Sequence, residues 1–169
     1  NKFFSFGLGL LAVEIENSTF TVSENQFNMV SWDPDPTLSV PQPYGQVSRY
    51  GTVALSFQNH EQNPTTIHCF NNRMANSRAG IHLRNIDGLS QPNVLVEHNQ
   101  VFYTHPSYIS YGIERGIWLE HDEQVDVRNN HIALRDNVPN PDDAFRLTGI
   151  QFDFTTSTRI DENYIGNMG

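Results

Sequence analysis

Lysine is all but missing from this chain of 169 residues: Lys2 is its only one, and ten Lys and Arg face nineteen Asp and Glu, for a formal net charge of −9. Proteins that bind nucleic acid by neutralising phosphates are basic, so nucleic acid is excluded as a partner. Cysteine is equally scarce. Cys69 is the only one, so no intrachain disulfide can hold the fold. Long apolar runs are absent too. The run from Phe3 to Val13 is too short to cross a bilayer and ends at Glu14-Ile15-Glu16 instead of a small-residue cleavage site, which argues against membrane insertion and for a first buried strand. A chain that opens on a buried strand reads as a segment of a longer protein. No segment keeps a helical period, and no block of like charge points to disorder. What is present is a 37% hydrophobic fraction with 11% aromatics, enough for the core of one domain over 1–169, and an excess of Asn, eighteen in all.

Five of those Asn residues belong to a repeat of the form apolar, any, apolar, any, any, Asn, any, apolar. The copies begin at Phe20, Ile67, Val94, Val125 and Thr158, and their Asn residues are Asn25, Asn72, Asn99, Asn130 and Asn163. A second motif precedes most copies: Gly80-Ile-His-Leu83, Gly116-Ile-Trp-Leu119 and Gly149-Ile-Gln-Phe152, with Thr52-Val-Ala-Leu55 as a variant. Alternation over four or five positions marks short strands. The repeat interval is far longer than a hairpin, so equivalent strands are expected to stack in parallel, one coil on the next. In that arrangement the apolar members face inward. The Asn is expected at a bend, where its side chain tolerates a left-handed backbone and can bond to the same Asn one coil away, about 4.8 Å distant.

The Gly-Ile-x-Leu strand, the apolar-x-apolar strand and the recurrent Asn resemble the right-handed parallel β-helix proteins related to pectate lyases, over roughly residues 10 to 168. The fold expected is therefore all-β: a single-stranded right-handed parallel β-helix of about five coils with an Asn ladder and long loops on one face. The resemblance implies little about activity, since this architecture hosts lyases, glycoside hydrolases, epimerases, tailspikes and adhesins. Three insertions, Asn28 to Gly51, Phe102 to Arg115 and Ala133 to Thr148, each precede a strand of the second motif. They would wall a groove in the region where the resembling enzymes place substrate.

Aligning those strands gives two outward columns: Ala54, His82, Trp118, Gln151, and Ser56, Arg84, Glu120, Asp153. Glu120 and Asp153 on neighbouring coils form a carboxylate pair suited to acid–base work on a glycosidic bond, with Arg84 one coil below. His82, Trp118 and Gln151 are the ligand-binding candidates, Trp118 as a platform for a sugar unless Tyr108, Tyr111 or Phe145 covers it. The competing reading is an ordinary polar surface with an ion pair. No metal site is expected, since the seven His residues show no ligand spacing and Cys69 occupies an inward position. No cofactor is expected either. Calcium is the one ion that Asp136, Asn137, Asn140, Asp142 and Asp143 could hold, although turn chemistry around Pro139 and Pro141 explains the same residues, as it does Asp33-Pro-Asp-Pro36.

Two classes of function remain. The preferred one is a secreted or cell-surface module with a structural or adhesive role, contacting a polysaccharide or cell-surface glycan and, at its open ends, neighbouring copies of the fold. The alternative is a polysaccharide lyase or glycoside hydrolase acting through Arg84, Glu120 and Asp153. Against it stand the missing Gly-His-Gly and Arg-x-Lys signatures of the polygalacturonase branch, whose Asp-Asp pair is matched only by Asp142-Asp143 in a loop without the expected neighbours, and the missing basic segment of the pectate lyase branch.

Overall fold

The computed structural model describes residues 1–4, 8–28, 53–75, 79–88, 93–102, 114–134 and 147–167, which form sixteen strands and no helix. Numbered in chain order, they make three parallel sheets. Sheet A holds β1 (Lys2–Phe4), β4 (Gln26–Asn28), β7 (Arg73–Ala75), β10 (Gln100–Phe102), β13 (His131–Leu134) and β16 (Tyr164–Asn167). Sheet B holds β2 (Leu8–Val13), β5 (Val53–Pro64), β8 (Ala79–Asp87), β11 (Glu114–Glu120) and β14 (Leu147–Asp153). Sheet C holds β3 (Thr19–Ser23), β6 (Thr66–Phe70), β9 (Val94–Glu97), β12 (Val125–Arg128) and β15 (Arg159–Asp161). The chain visits B, C and A in turn, and each strand pairs with its equivalent in the next coil. This is the parallel β-helix solenoid of about five coils expected from the repeat. The long insertions join sheet A to sheet B at one corner, and all but their edges lies outside the described residues, as do Tyr108, Tyr111, Phe145, residues 33–36 and the oxygen-rich residues 136–143.

Period-2 alternation puts one rank of apolar side chains inside along each sheet. Leu55, Ile81 and Ile117 form one rank, Ile67, Val94 and Val125 another, and Met74, Val101 and Ile132 a third, all buried with Cys69, Val96 and Val127. Burying each such side chain contributes about 1.5–3 kcal/mol. In the last coil Phe152 follows Leu119, Ile160 follows Val127 and Ile165 follows Ile132, and these three are exposed, whereas Ile150, after Ile117, is half-buried. The run Phe3 to Val13 is not one buried strand. It divides between β1 and β2, and Leu11 and Val13 point outward into solvent because they alternate with the inward Leu10 and Ala12.

The Asn ladder is present, but the left-handed residue of each bend is the one before the ladder Asn: Glu24, Asn71, His98, Asn129 and Glu162 have φ of 51–58°. The reason is division of labour. The bend needs a reversed backbone at a residue whose side chain can leave the core, while the following Asn turns its amide inward to be stacked. From Asn72 to Asn163 each ladder Oδ1 accepts both the backbone N–H and the Nδ2 of the Asn one coil earlier; Asn99 Oδ1 takes Asn72 N at 3.1 Å and Asn72 Nδ2 at 3.0 Å. Each Nδ2 also donates to a carbonyl of the previous coil, as Asn72 to Val22, Asn99 to Cys69, Asn130 to Val96 and Asn163 to Val127, at 2.8–2.9 Å. A left-handed non-glycine residue costs about 1–2 kcal/mol, which these buried bonds offset. Asn1 is a sixth member, donating from Nδ2 to Asn25 Oδ1 at 3.0 Å.

Candidate functional site

The candidate residues lie on the outer face of sheet B, whose strands follow the insertions in the chain. Its two columns read Leu11, Ser56, His82, Trp118, Gln151 and Val13, Gln58, Arg84, Glu120, Asp153. Ala54 and Ser56 are therefore two residues out of register in the sequence alignment: Ala54 is fully buried, and Gln58, not Ser56, stands beside Arg84. The error has a physical origin. Val53, Leu55 and Phe57 alternate, so two registers satisfy the inward rule; the real one stacks Leu55 on Ile81 and Phe57 on Leu83, which brings the small Ala54 into the glycine column. The other candidates, Arg84, Glu120, Asp153, His82, Trp118 and Gln151, are brought together as adjacent partners on successive strands.

Their side chains form one connected network. Gln58 Nε2 donates to Ser56 Oγ at 2.8 Å, and His82 Nδ1 lies 3.5 Å from both residues. On its other side His82 Nε2 is 3.4 Å from Glu120 Oε2, an oxygen that also has Arg84 Nε at 3.8 Å. The His82 ring stacks on Trp118 at 4.1 Å, and the Arg115 guanidinium lies 4.0 Å from the centre of the indole. Trp118 Nε1 donates to Asp153 Oδ2 at 2.9 Å, the same oxygen that takes Gln151 Nε2 at 2.9 Å, while Arg115 donates to Gln151. Trp118 is thus half-buried within a stack, and a sugar laid on it would have to displace Arg115. Glu120 and Asp153 occupy neighbouring strands, and each already has partners.

Burial pushes the His82 imidazole down to about 4, against the pull of Glu120, so the ring is neutral at neutral pH. At the corner beyond Glu120, Asp122 is fully buried. Its Oδ1 takes Ile86 N at 2.8 Å and its Oδ2 takes Glu120 N at 2.9 Å, the task that Asn59 performs for Ile15 two coils below. Desolvation outweighs those two donors and raises the carboxyl to about 7. The two groups act oppositely on stability. Asp122 holds its proton when folded and loses it near pH 4 when unfolded, so its contribution is lost as pH rises toward 7. His82 protonates near 6.5 unfolded and near 4 folded, so its contribution is lost as pH falls toward 4. Between pH 4 and 6.5 the slopes offset, each at up to about 1.4 kcal/mol per pH unit. Asp122→Asn is expected to unmask His82: urea unfolding midpoints of the variant should fall on acidification across this window more steeply than those of the parent chain. Parallel profiles would refute it.

Sequence reasoning missed Asp122, which breaks no apolar pattern, and Asn1, whose Asn-x-apolar half-repeat was the available signal. It also missed the corner pair His121 and Phe154, whose rings stack with centroids 4.9 Å apart and planes 7° from parallel. Cys69 lies in the core as expected, its thiol pushed up to about 12 by burial. The outer face of sheet C carries an ion ladder instead. Burial would raise the Glu97 carboxyl, but bonds from His68 Nε2 at 2.7 Å and Arg128 Nε at 2.8 Å hold it below its ordinary value. No group of three or more metal-ligating side chains is found among the described residues.

Fold and site together define a parallel β-helix solenoid with a bonded polar face on one sheet. No family model, curated protein or solved structure matches the chain.

Proposed function

We propose that this domain is a structural or adhesive β-helix module of the cell exterior whose sheet B face contacts carbohydrate. The observation that supports this is the column Gln58, Arg84, Glu120, Asp153, one polar side chain per coil over four successive strands. Its step is the inter-strand spacing of about 4.8 Å, close to the length of one pyranose unit and unlike the roughly 3.3 Å per residue of an extended peptide. A polysaccharide laid along the solenoid axis would meet an amide, guanidinium or carboxylate at every ring. Binding is favoured over catalysis because Asp153 accepts bonds from Trp118 and Gln151 while Glu120 faces His82 and Arg84, which leaves no open acid and base across a scissile bond. The adjacency of the two carboxylates is what keeps a lyase or hydrolase as the second reading.

The test is a glycan array together with a polysaccharide-degradation screen on the 169-residue chain, with Trp118→Ala and Glu120→Gln beside it. Retention of a glycan without release of products is expected, weakened about tenfold or more in both variants, Trp118→Ala acting through loss of the stack that orients Arg115 and Asp153. Products that vanish in Glu120→Gln would replace the binding reading with the enzymatic one. Unchanged behaviour of both variants would remove this face as the functional site.

A further inference from the structure

We infer that the outer face of sheet A binds a linear polysaccharide that carries a carboxylate on every second sugar. This surface shares no residue with the sheet B face. Pairing sets one outward side chain per strand in a single column, Lys2, Gln26, Arg73, Gln100, His131 and Tyr164, and all six are exposed. Gln26, Arg73, Gln100 and His131 lie on strands with a paired neighbour on each side, so their exposure does not come from an open end of the solenoid. The residues that follow them, Phe27, Met74, Val101 and Ile132, point inward and are core.

Charge sets this face apart. The chain has nineteen Asp and Glu, yet none of the six described strands of sheet A contains one, whereas sheets B and C carry Glu120, Asp153, Glu97 and Asp161. The bends beside the column bring Asn71, His98 and Asn129 in the middle coils, with Glu24 and Glu162 only at the flanks. Arg84, Arg128 and Arg159 are each held by a carboxylate. Arg73 has no carboxylate partner among the described residues; its guanidinium lies 4.6 Å from the centre of the Phe102 ring, which orients it while it stays exposed. His131, two strands on, is held edge-to-face by Tyr164 with centroids 4.8 Å apart.

Spacing identifies the ligand. The cationic or imidazole donors Lys2, Arg73 and His131 alternate with the amides of Gln26 and Gln100, so like groups recur every second strand, about 9.6 Å apart. That is close to the length of a disaccharide. An extended peptide repeats on one face roughly every 6.6 Å and falls out of register with this column. The guanidinium takes a carboxylate with paired N–H donors, and the amides between suit the hydroxyls of the uncharged sugar. Carboxylates on the other sheets act weakly here, because physiological salt screens them within about 8 Å.

The experiment titrates the 169-residue chain with hyaluronan oligosaccharides, which carry a carboxylate on alternate sugars, with polygalacturonate, which carries one on every sugar, and with uncharged dextran. Hyaluronan should bind about tenfold more tightly than either. Arg73→Gln and Gln100→Glu should each weaken it about tenfold, with unfolding midpoints unchanged because both positions are exposed. Arg159→Gln, the same loss of charge on sheet C, should bind as the parent does. Polygalacturonate bound as tightly as hyaluronan overturns the inference, as does equal weakening by Arg159→Gln, which would reduce the effect to net charge. Equal binding by parent, Arg73→Gln and Gln100→Glu removes sheet A as the surface. A parent chain that binds no hyaluronan overturns the inference and leaves the sheet B reading to its own test.

Discussion

Replacing Asn99 by Ala is expected to lower folding stability by roughly 3–5 kcal/mol, read as a shift in urea unfolding at neutral pH. Asn99 is fully buried, and its amide serves two coils at once. Its Oδ1 holds the backbone N–H of Asn72, and its Nδ2 reaches the Cys69 carbonyl at 2.9 Å and Asn130 Oδ1 at 3.0 Å. Truncation leaves the Asn72 N–H without its acceptor where water cannot enter, removes the donor to Cys69, and opens a cavity between coils. Each orphaned buried group costs about 1–3 kcal/mol, and the cavity adds to that. Asn163→Ala is the control. That residue is only half-buried, accepting from Asn130 and donating to the carbonyls of Val127 and Asp161 where water can replace it, so its loss should cost about 1–2 kcal/mol. Equal losses at the two positions would mean that the ladder is a row of independent caps and not a buried, shared network.

The ladder was legible because its physics is periodic. Five Asn residues recur at one place in a pattern that also fixes which neighbours face inward, and local and long-range signals agree. Where the pattern is ambiguous the reading slipped. Val53, Leu55 and Phe57 admit two registers, and only the coil above decides between them, so Ala54 and Ser56 were assigned to the wrong columns. The conformation of the bends was half legible: the Asn position was right, but the reversed backbone falls on the residue before it, which is Asn at two bends, Asn71 and Asn129, and His98, Glu24 or Glu162 at the others, so intrinsic propensity selects it only in part and the stacked neighbour does the rest. The site divides in the same way. Glu120, Asp153, Trp118 and His82 follow from alternation, whereas their bonding follows from side-chain reach across coils. Phe154 and His121 sit outside any strand, where the period carries no information.

Gly116→Ala is the second large effect expected, a loss of roughly 3 kcal/mol or a failure to fold. A methyl group at Gly116 would stand 2.5 Å from the Gly149 carbonyl oxygen of the next coil and 2.6 Å from Cγ2 of Ile132. The carbonyl belongs to the β11–β14 pairing and cannot move without opening it. Ile132 is β-branched and stiff at χ1, so it cannot swing aside. The same column explains itself coil by coil. Gly9 faces Phe27, Gly80 faces Val101, Gly116 faces Ile132 and Gly149 faces Ile165, each opposite residue being β-branched or a bulky aromatic. The one coil with a methyl in the column, at Ala54, has Met74 at the equivalent place in sheet A. An unbranched, adaptable side chain leaves room that Val or Ile does not. Ile132→Met in the Gly116→Ala background should therefore recover part of the loss, while Ile132→Met alone costs about 1 kcal/mol. A double-mutant cycle on unfolding free energies reads this coupling directly. Additive losses would show that the Gly149 carbonyl alone dictates glycine here and that Ala54 is tolerated for a different reason.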